Sequence, residues 1–333
     1  MYKKRTTLKD IAREAGVSST TVSIVLNDRK DIQIGVEAKR KVLKAAEKLG
    51  YEFTPSKKRK KEHVICFVHS EIEKMNMTTS FFARVSSQLR TLCEAAGMIV
   101  QESEYHLKNG LPAYQAVLAN QPSALVSFND KFTDIHLSQN NKIPLFSLQG
   151  ERNDPSLKMK HSLFLVDDTL VGELAAQHLL EKGYKSAAMI FPELKGRCIQ
   201  ERSAGFRSVF ERGAARIKYI EFPYTAHIEI EKWFRSADCS DFDSFYFFSD
   251  AMAIPAIRGL LSQGIKIPEN AAILGTDNLY WGQYCYPSLT TMNLHEENFA
   301  GKIFREIQSL LADGVFYPGE TIIPVDLIKR EST

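Results

Sequence analysis

Short hydroxyl and amide side chains crowd one stretch near the start of the chain: Ser18, Ser19, Thr20, Thr21, Ser23 and Asn27, with Ile24 beside them. At the beginning of a helix such groups suit base edges and phosphates in a DNA major groove, because they are small enough to approach and can both donate and accept. The rest of the chain offers little for catalysis. It contains no GxSxG, HExxH, Walker A or strand-borne GxGxxG pattern. Asp167 and Asp168 are adjacent, so one of the two points away from any shared cleft. The eight histidines are dispersed, and His161, His178 and His295 read as core or surface residues. The five cysteines (Cys66, Cys93, Cys198, Cys239 and Cys285) are scattered and never form a CxxC pair, which argues for reduced thiols and against a zinc site. No catalytic residue, cofactor or metal is expected.

Charge singles out the same end of the chain. Residues 1–61 hold 17 of the 43 basic and 7 of the 40 acidic residues, a net of +10; the remainder holds 26 and 33, a net of −7. A basic head on a mildly acidic body implies a polyanionic partner for the head alone. The first residues, Met1-Tyr-Lys-Lys-Arg-Thr-Thr, are basic with no apolar stretch behind them, unlike a secretory signal, and no apolar run approaches a membrane span. A cytoplasmic protein is expected.

The polar stretch needs elements to position it. Leu8, Ile11, Ala12 and Ala15 lie on one helical face, with Thr7 and Asp10 placed as a capping box. Gly16 then breaks the pattern, and Ser18 caps a second helix running to about Leu26. Val17 and Val22 fill the space between the two helices. Ala38, Val42, Ala45, Ala46 and Leu49 form the stripe of a third helix ending at Gly50, with Lys39, Arg40, Lys41, Lys44 and Lys48 outside it. Thr54-Pro-Ser-Lys-Lys-Arg-Lys-Lys61 has no periodicity and reads as a linker.

From residue 63 apolar strand-like runs alternate with helical stretches. The runs are 64–68, 98–101, 124–128, 144–148, 187–191, 217–222, 244–248 and 271–275; helices fall near 81–96, 170–182, 201–212, 251–263 and 296–312. This alternation predicts an α/β body of parallel sheets covered by helices, with two sheets needed for so many strands. The expected boundaries are 1–53 for the helical head, 54–62 for a basic linker and 63–333 for the body.

The stretch Thr7-Leu-Lys-Asp-Ile-Ala-Arg-Glu-Ala-Gly-Val-Ser…Thr21-Val-Ser…Val25-Leu-Asn resembles the head of the lactose-repressor (LacI/GalR) family. The resemblance continues through Lys48-Leu-Gly-Tyr51, Val166-Asp-Asp, Arg202-Ser-Ala-Gly-Phe206, Asp250-Ala-Met-Ala, Gly275-Thr-Asp-Asn278 and Pro287-Ser-Leu-Thr-Thr291, in the family's order. It implies a helix-turn-helix head reading duplex operator DNA through Thr7, Ser18, Ser19, Thr20, Thr21, Ser23, Ile24 and Asn27. It also implies a homodimeric repressor with a two-lobed body like periplasmic sugar-binding proteins, and a small effector, a sugar or sugar derivative, between the lobes. The positions matching the family's effector site are Phe81, Phe82, Asp168, Arg202 and Asp277; Cys198 and Ser249 fall near matched positions, and Tyr224 and Trp281 are aromatic candidates placed approximately. Other readings stay open: Phe81 and Phe82 as core, Asp168 as a helix cap, Arg202 as a surface ion-pair residue, Asp277 as a turn residue and Asn27 as a cap of its own helix.

Two departures bear on mechanism. Where the family carries a hinge helix with minor-groove leucines, this chain has the shorter, leucine-free run Tyr51-Glu-Phe-Thr-Pro-Ser-Lys-Lys-Arg-Lys-Lys, suited to phosphate contact by charge or to a solvated tether. Ile24 stands where an arginine is common; it cannot read guanine but can pack on a thymine methyl.

Overall fold

A computed structural model describes residues 6–26, 32, 34–51, 62–70, 81–105, 110–119, 121–128, 130–139, 141–149, 161–194, 196–213, 216–224 and 226–333. Asn27 and the linker tract 54–61 lie outside them. Internal contacts divide the chain into residues 1–62 and 63–333.

The head consists of α1 (Leu8–Ala15), α2 (Ser19–Leu26) and α3 (Val36–Lys48). Thr7 caps α1: its hydroxyl accepts from Asp10 N–H while the Asp10 carboxylate accepts from Thr7 N–H at 2.9 Å. Gly16 ends α1 at φ +66°, the left-handed conformation that turns the chain into α2. Ser18 caps α2 by accepting from Thr21 N–H at 3.0 Å. Ile11, Val22, Val25, Val42, Ala45 and Ala46 close a core between the three helices, with Val17 and Leu49 packed on its edge.

The body has two six-stranded sheets. The first lobe contributes β1 (Val64–Ser70), α4 (Phe81–Ala95), β2 (Ile99–Tyr105), α5 (Gly110–Leu118), β3 (Ala124–Ser127), α6 (Asp130–Ser138), β4 (Leu145–Leu148) and β5 (Ser162–Val166). The second contributes α7 (Asp168–Glu181), β6 (Ser186–Pro192), α8 (Arg197–Phe210), β7 (Arg216–Phe222), α9 (His227–Phe234), β8 (Ser244–Phe247), α10 (Asp250–Ser262), β9 (Ala272–Thr276) and β10 (Thr290–Asn293). The chain then returns through α11 (Glu296–Asp313) and β11 (Glu320–Ile323) to the first lobe, and ends with β12 (Asp326–Ile328) in the second. The sheet orders are β11-β5-β4-β3-β1-β2 and β12-β10-β9-β8-β6-β7. Every pairing is parallel except β10 with β12. The lobes are therefore joined by three crossings, at 166–168, 293–296 and 323–326.

Strands β3, β4, β5, β8 and β9 are buried at every position. That burial explains the continuous apolar runs, since helices cover both faces of a parallel sheet. Helix α8 begins at Arg197, four residues before the periodicity suggests, and β5, β10, β11 and β12 lie outside the predicted runs. Short strands rich in Ser, Thr and Asn, such as Thr290–Asn293, carry no apolar signal of their own.

Helices α7 and α8 cross closely because a glycine faces backbone on each side. A Cβ on Gly172 would lie 2.1 Å from Arg202 O, and one on Gly205 would lie 2.1 Å from Thr169 O. This contact brings the first turn of α7 against α8 and so sets the distance between Asp168 and Arg202.

Candidate DNA-reading face and effector cleft

On the head, Ser19 and Thr20 are exposed at the start of α2, while Thr21, Ser23 and Ile24 are half-buried. Thr7, Ser18 and Thr21 spend part of their hydrogen-bonding capacity on caps: the Thr7 hydroxyl donates to Asp10 at 2.6 Å, and the Ser18 and Thr21 hydroxyls meet at 2.9 Å. The polar face is thus pre-shaped by its own caps.

In the body a cavity of about 70 Å³ lies between the lobes, lined by Phe81, Phe82 and Gln149 from the first lobe, by Leu294 at a crossing, and by Cys198, Arg202, Tyr224, Phe248 and Asp277 from the second. The strand ends place these groups. Gln149 directly follows β4, Phe248 follows β8, and Asp277 follows β9 at φ +104°. This is the carboxyl edge of both sheets, where loops from many strands converge.

Arg202 is the cleft's buried cation. It donates to Asp168 Oδ1 at 2.7 Å and to the Phe248 carbonyl at 2.9 Å, and its guanidinium carbon sits 4.5 Å from the Phe248 ring centroid. Its Nε–H, also buried, has no partner. Burial alone would lower the Arg202 pKa; the Asp168 charge and hydrogen bond, with Tyr246 and Cys198, together outweigh it and hold the guanidinium protonated. Asp168 is fully buried and also receives Arg197 at 3.4 Å, so its carboxylate is consumed by arginines and lies behind the cavity wall. The cap of α7 is Asp167, which accepts from Leu170 N–H.

Asp277 is 8% exposed, and among the described residues no group donates to its carboxylate. Burial raises its pKa to about 7; the Arg84 and Arg202 charges oppose this, and Glu296 and Asp168 add to it. Behind it Asp250 is fully buried and accepts from Leu279 N–H at 2.7 Å and Thr291 Oγ1–H at 2.6 Å, bracing the loop that carries Asp277. Burial keeps the Cys198 thiol neutral, with a pKa of about 11.

Two arginines bridge the lobes beside the cavity. Arg84 on α4 donates to Glu296 at 2.8 Å and to the Asp277 carbonyl at 2.8 Å. Arg197 on α8 donates to Glu201 and, at 2.9 Å, to Gln149 Oε1, which also accepts Val166 N–H at the first crossing.

Residues 7–53 match the model of bacterial regulatory proteins of the lacI family, and residues 176–333 match a periplasmic binding protein-like domain. The head carries a lacI-family domain. The chain is 24% identical to the HTH-type transcriptional regulator DegA of Bacillus subtilis, covering 99% of this chain and 98% of DegA. It is 25% identical to the HTH-type transcriptional repressor PurR of Actinobacillus pleuropneumoniae, covering 98% of each. Its fold matches a lac repressor dimer bound to operator and the anti-inducer ONPF, with TM-score 0.69, 19% identity and 99% of both chains covered. It also matches a CelR–cellobiose complex, with TM-score 0.68, 20% identity, and 99% of this chain and 100% of the other covered.

The cavity gathers Phe81, Phe82, Cys198, Arg202, Tyr224 and Asp277. It leaves out Asp168, Ser249 and Trp281. Ser249 is buried at the start of α10, and Trp281 is 65% exposed in the loop after β9. Sequence reasoning missed Gln149, Phe248 and Leu294. Each follows a strand, and position at a strand's carboxyl end was the signal available for Gln149 and Phe248. No cluster of His, Cys, Asp and Glu among the described residues has the arrangement of a metal site, and no described helix is long and apolar enough to cross a membrane.

Proposed function

We propose that this chain is a cytoplasmic, homodimeric transcriptional repressor that reads operator DNA with α2 and is controlled by a small polar effector, a saccharide or sugar derivative, held between the lobes of the body. The reading rests above all on the lacI-family match of residues 7–53 to a head of net charge +10 with exposed hydroxyls on α2. The curated relatives are named as transcriptional regulators or repressors, and solved relatives carry cellobiose, ribose or lactose.

On this reading Thr7, which holds α1, and Ser18 and Thr21, which hold α2, approach phosphates, Ser19, Thr20 and Ser23 meet base edges and phosphates, and Ile24 packs against a thymine methyl. Asn27 and the lysine-rich tract 57–61 belong to the same interface. In the body Asp277 accepts ligand hydroxyls, Arg202 Nε–H and the Gln149 amide donate, and Phe82, Tyr224 and Phe248 give the apolar faces against which a ring can lie. Asp168 holds Arg202 in place. The cavity is far below the roughly 300–1,000 Å³ usual for a ligand pocket, so a ring-sized ligand enters by parting the lobes.

The test is fluorescence anisotropy with a labelled operator selected from random duplexes. Thr20→Ala is expected to narrow the gap between selected and unrelated duplexes by about tenfold, equivalent to one lost base contact of ~1–3 kcal/mol. Equal loss on both duplexes would show that α2 grips phosphates only.

A further inference from the structure

Among the described residues the arginines around the cleft pair off and two acids remain, Asp277 and, behind it, Asp250, which is satisfied by neutral donors. Arg202 is matched by Asp168, Arg197 by Glu201, and Arg84 by Glu296. Asp277 lines the cavity, is nine-tenths buried and, among the described residues, has no hydrogen-bond partner for its carboxylate. The other polar groups on the wall are donors without surplus charge. The Gln149 carbonyl is taken by Arg197 and Val166, which leaves its amide N–H groups facing a ligand; Cys198 is a neutral thiol; Arg202 Nε–H belongs to a neutralised pair. Phe81, Phe82, Tyr224 and Phe248 supply aromatic surface, which attracts cations and repels anions at its faces.

Among the described residues this site has one wall acceptor with a charge to satisfy and no unpaired cation for an anion. We propose that the cleft selects by charge: it takes ligands whose hydroxyl or ammonium group donates to Asp277, and it rejects the carboxylate- and phosphate-bearing forms of the same molecules. This rests on the saccharide reading of the cleft given above. An anion brought beside ionised Asp277 would be buried against a like charge, and such juxtaposition is strongly unfavourable out of water.

The selection depends on pH. The charged or titratable groups facing Asp277 are Arg84 from α4, Arg202 from α8, Asp168 from α7, Tyr246 from β8, Asp250 from α10 and Glu296 from α11. Asp277, raised to about 7, changes charge near neutrality, and burial also raises Asp168 and Asp250. A ligand that needs the ionised carboxylate therefore binds about tenfold more tightly at pH 8 than at pH 6. The anion penalty follows the same titration in the opposite direction: it is present at pH 8 and relieved at pH 6.

Calorimetry on the full-length protein tests this with a panel of aldoses and their 2-amino, uronate and 6-phosphate forms, at pH 6 and pH 8. At pH 8 the best-binding aldose should exceed its uronate and phosphate by at least about tenfold, and its 2-amino form should bind as well or better. Asp277→Asn, with folding checked by circular dichroism, should erase both the anion penalty and its pH dependence. Arg84→Met, which removes a charge that lowers the Asp277 pKa, should move the titration of the penalty to higher pH. A uronate or phosphate that outbinds its parent sugar at pH 8 overturns charge selection while leaving effector control intact. So does an anion penalty that persists unchanged in Asp277→Asn. Failure of every member of the panel to bind at millimolar concentration overturns the saccharide reading, and charge selection with it.

Discussion

A buried carboxylate without a hydrogen-bond partner destabilises the structure that contains it, and among the described residues Asp277 is such a group. Its raised pKa has a definite sign. The folded protein binds this proton more tightly than the unfolded chain, so stability falls as pH rises from about 4, the ordinary carboxylate value, through about 7. Asp277→Asn should therefore raise stability at pH 8 by on the order of 1–3 kcal/mol, seen as a higher Tm, while weakening binding of any sugar that uses the carboxylate. Differential scanning calorimetry at pH 5 and pH 8 checks this, and a gain that is equal at both values would show that the charge is not its source. His161 and His178 work in the other direction. Burial lowers both to about 4, so they are neutral in the fold and would be protonated in the unfolded chain below pH 6.5. Their contribution is present above 6.5 and is lost as pH falls toward 4. A Tm that holds steady across that window in the wild type, but not in a His178→Gln variant, would contradict this assignment.

At the level of elements, the α7–α8 crossing is the contact most sensitive to one added carbon. Gly205→Ala would drive a methyl group into Thr169 O, and the helices must separate to accommodate it. We expect a loss of at least about 2 kcal/mol in urea unfolding, typical of overpacking at a rigid contact, together with weaker effector binding because Arg202 shifts from Asp168. Loss of stability with unchanged binding would mean that the crossing does not position the cleft. The elements themselves were largely legible in the sequence. Long apolar strands and amphipathic helices announce themselves because burial dictates residue type at every turn of the pattern. The pairing of Arg202 with Asp168 was not legible. It spans 34 residues and depends on two glycines that look like ordinary helix blemishes until the partner helix is in place. Asp168 and Asp277 have the same chemistry in sequence; only burial and neighbours separate the carboxylate that supports from the one that meets the cavity. Trp281 misled for a related reason, since aromatic character fits a pocket and an interface equally well.

Across the whole molecule, Tyr280, Trp281, Tyr284 and Tyr286 are 63–82% exposed within one loop. Beside them Ile228, Leu261 and Tyr286 line an apolar groove of about 480 Å³. Monomeric proteins rarely leave so much apolar surface in one place. On the homodimeric reading this patch is the natural surface for a second copy. Sedimentation of the full-length protein at micromolar concentration should give a dimer, and Trp281→Asp combined with Tyr284→Asp should shift it to monomer with far-UV dichroism unchanged. A double variant that remains dimeric would place the interface elsewhere. The head should show the salt response of a polycation on DNA, with affinity falling steeply and linearly in log–log form as salt rises. Neutralising Lys57–Lys61 should lower affinity for all duplexes alike; a loss confined to one sequence would assign the tract a reading role.

The bonds from Arg84 to Asp277 and from Arg197 to Gln149 tie the two lobes together across a space smaller than a sugar ring. That arrangement has a consequence in time as well as in energy. A ligand cannot enter until both ties let go, so encounter and entry are separate events, and the second does not depend on how much ligand is present. In stopped-flow experiments the observed association rate should climb with ligand concentration and then level off at the opening rate. Cutting one tie, as in Arg84→Met, should raise that plateau.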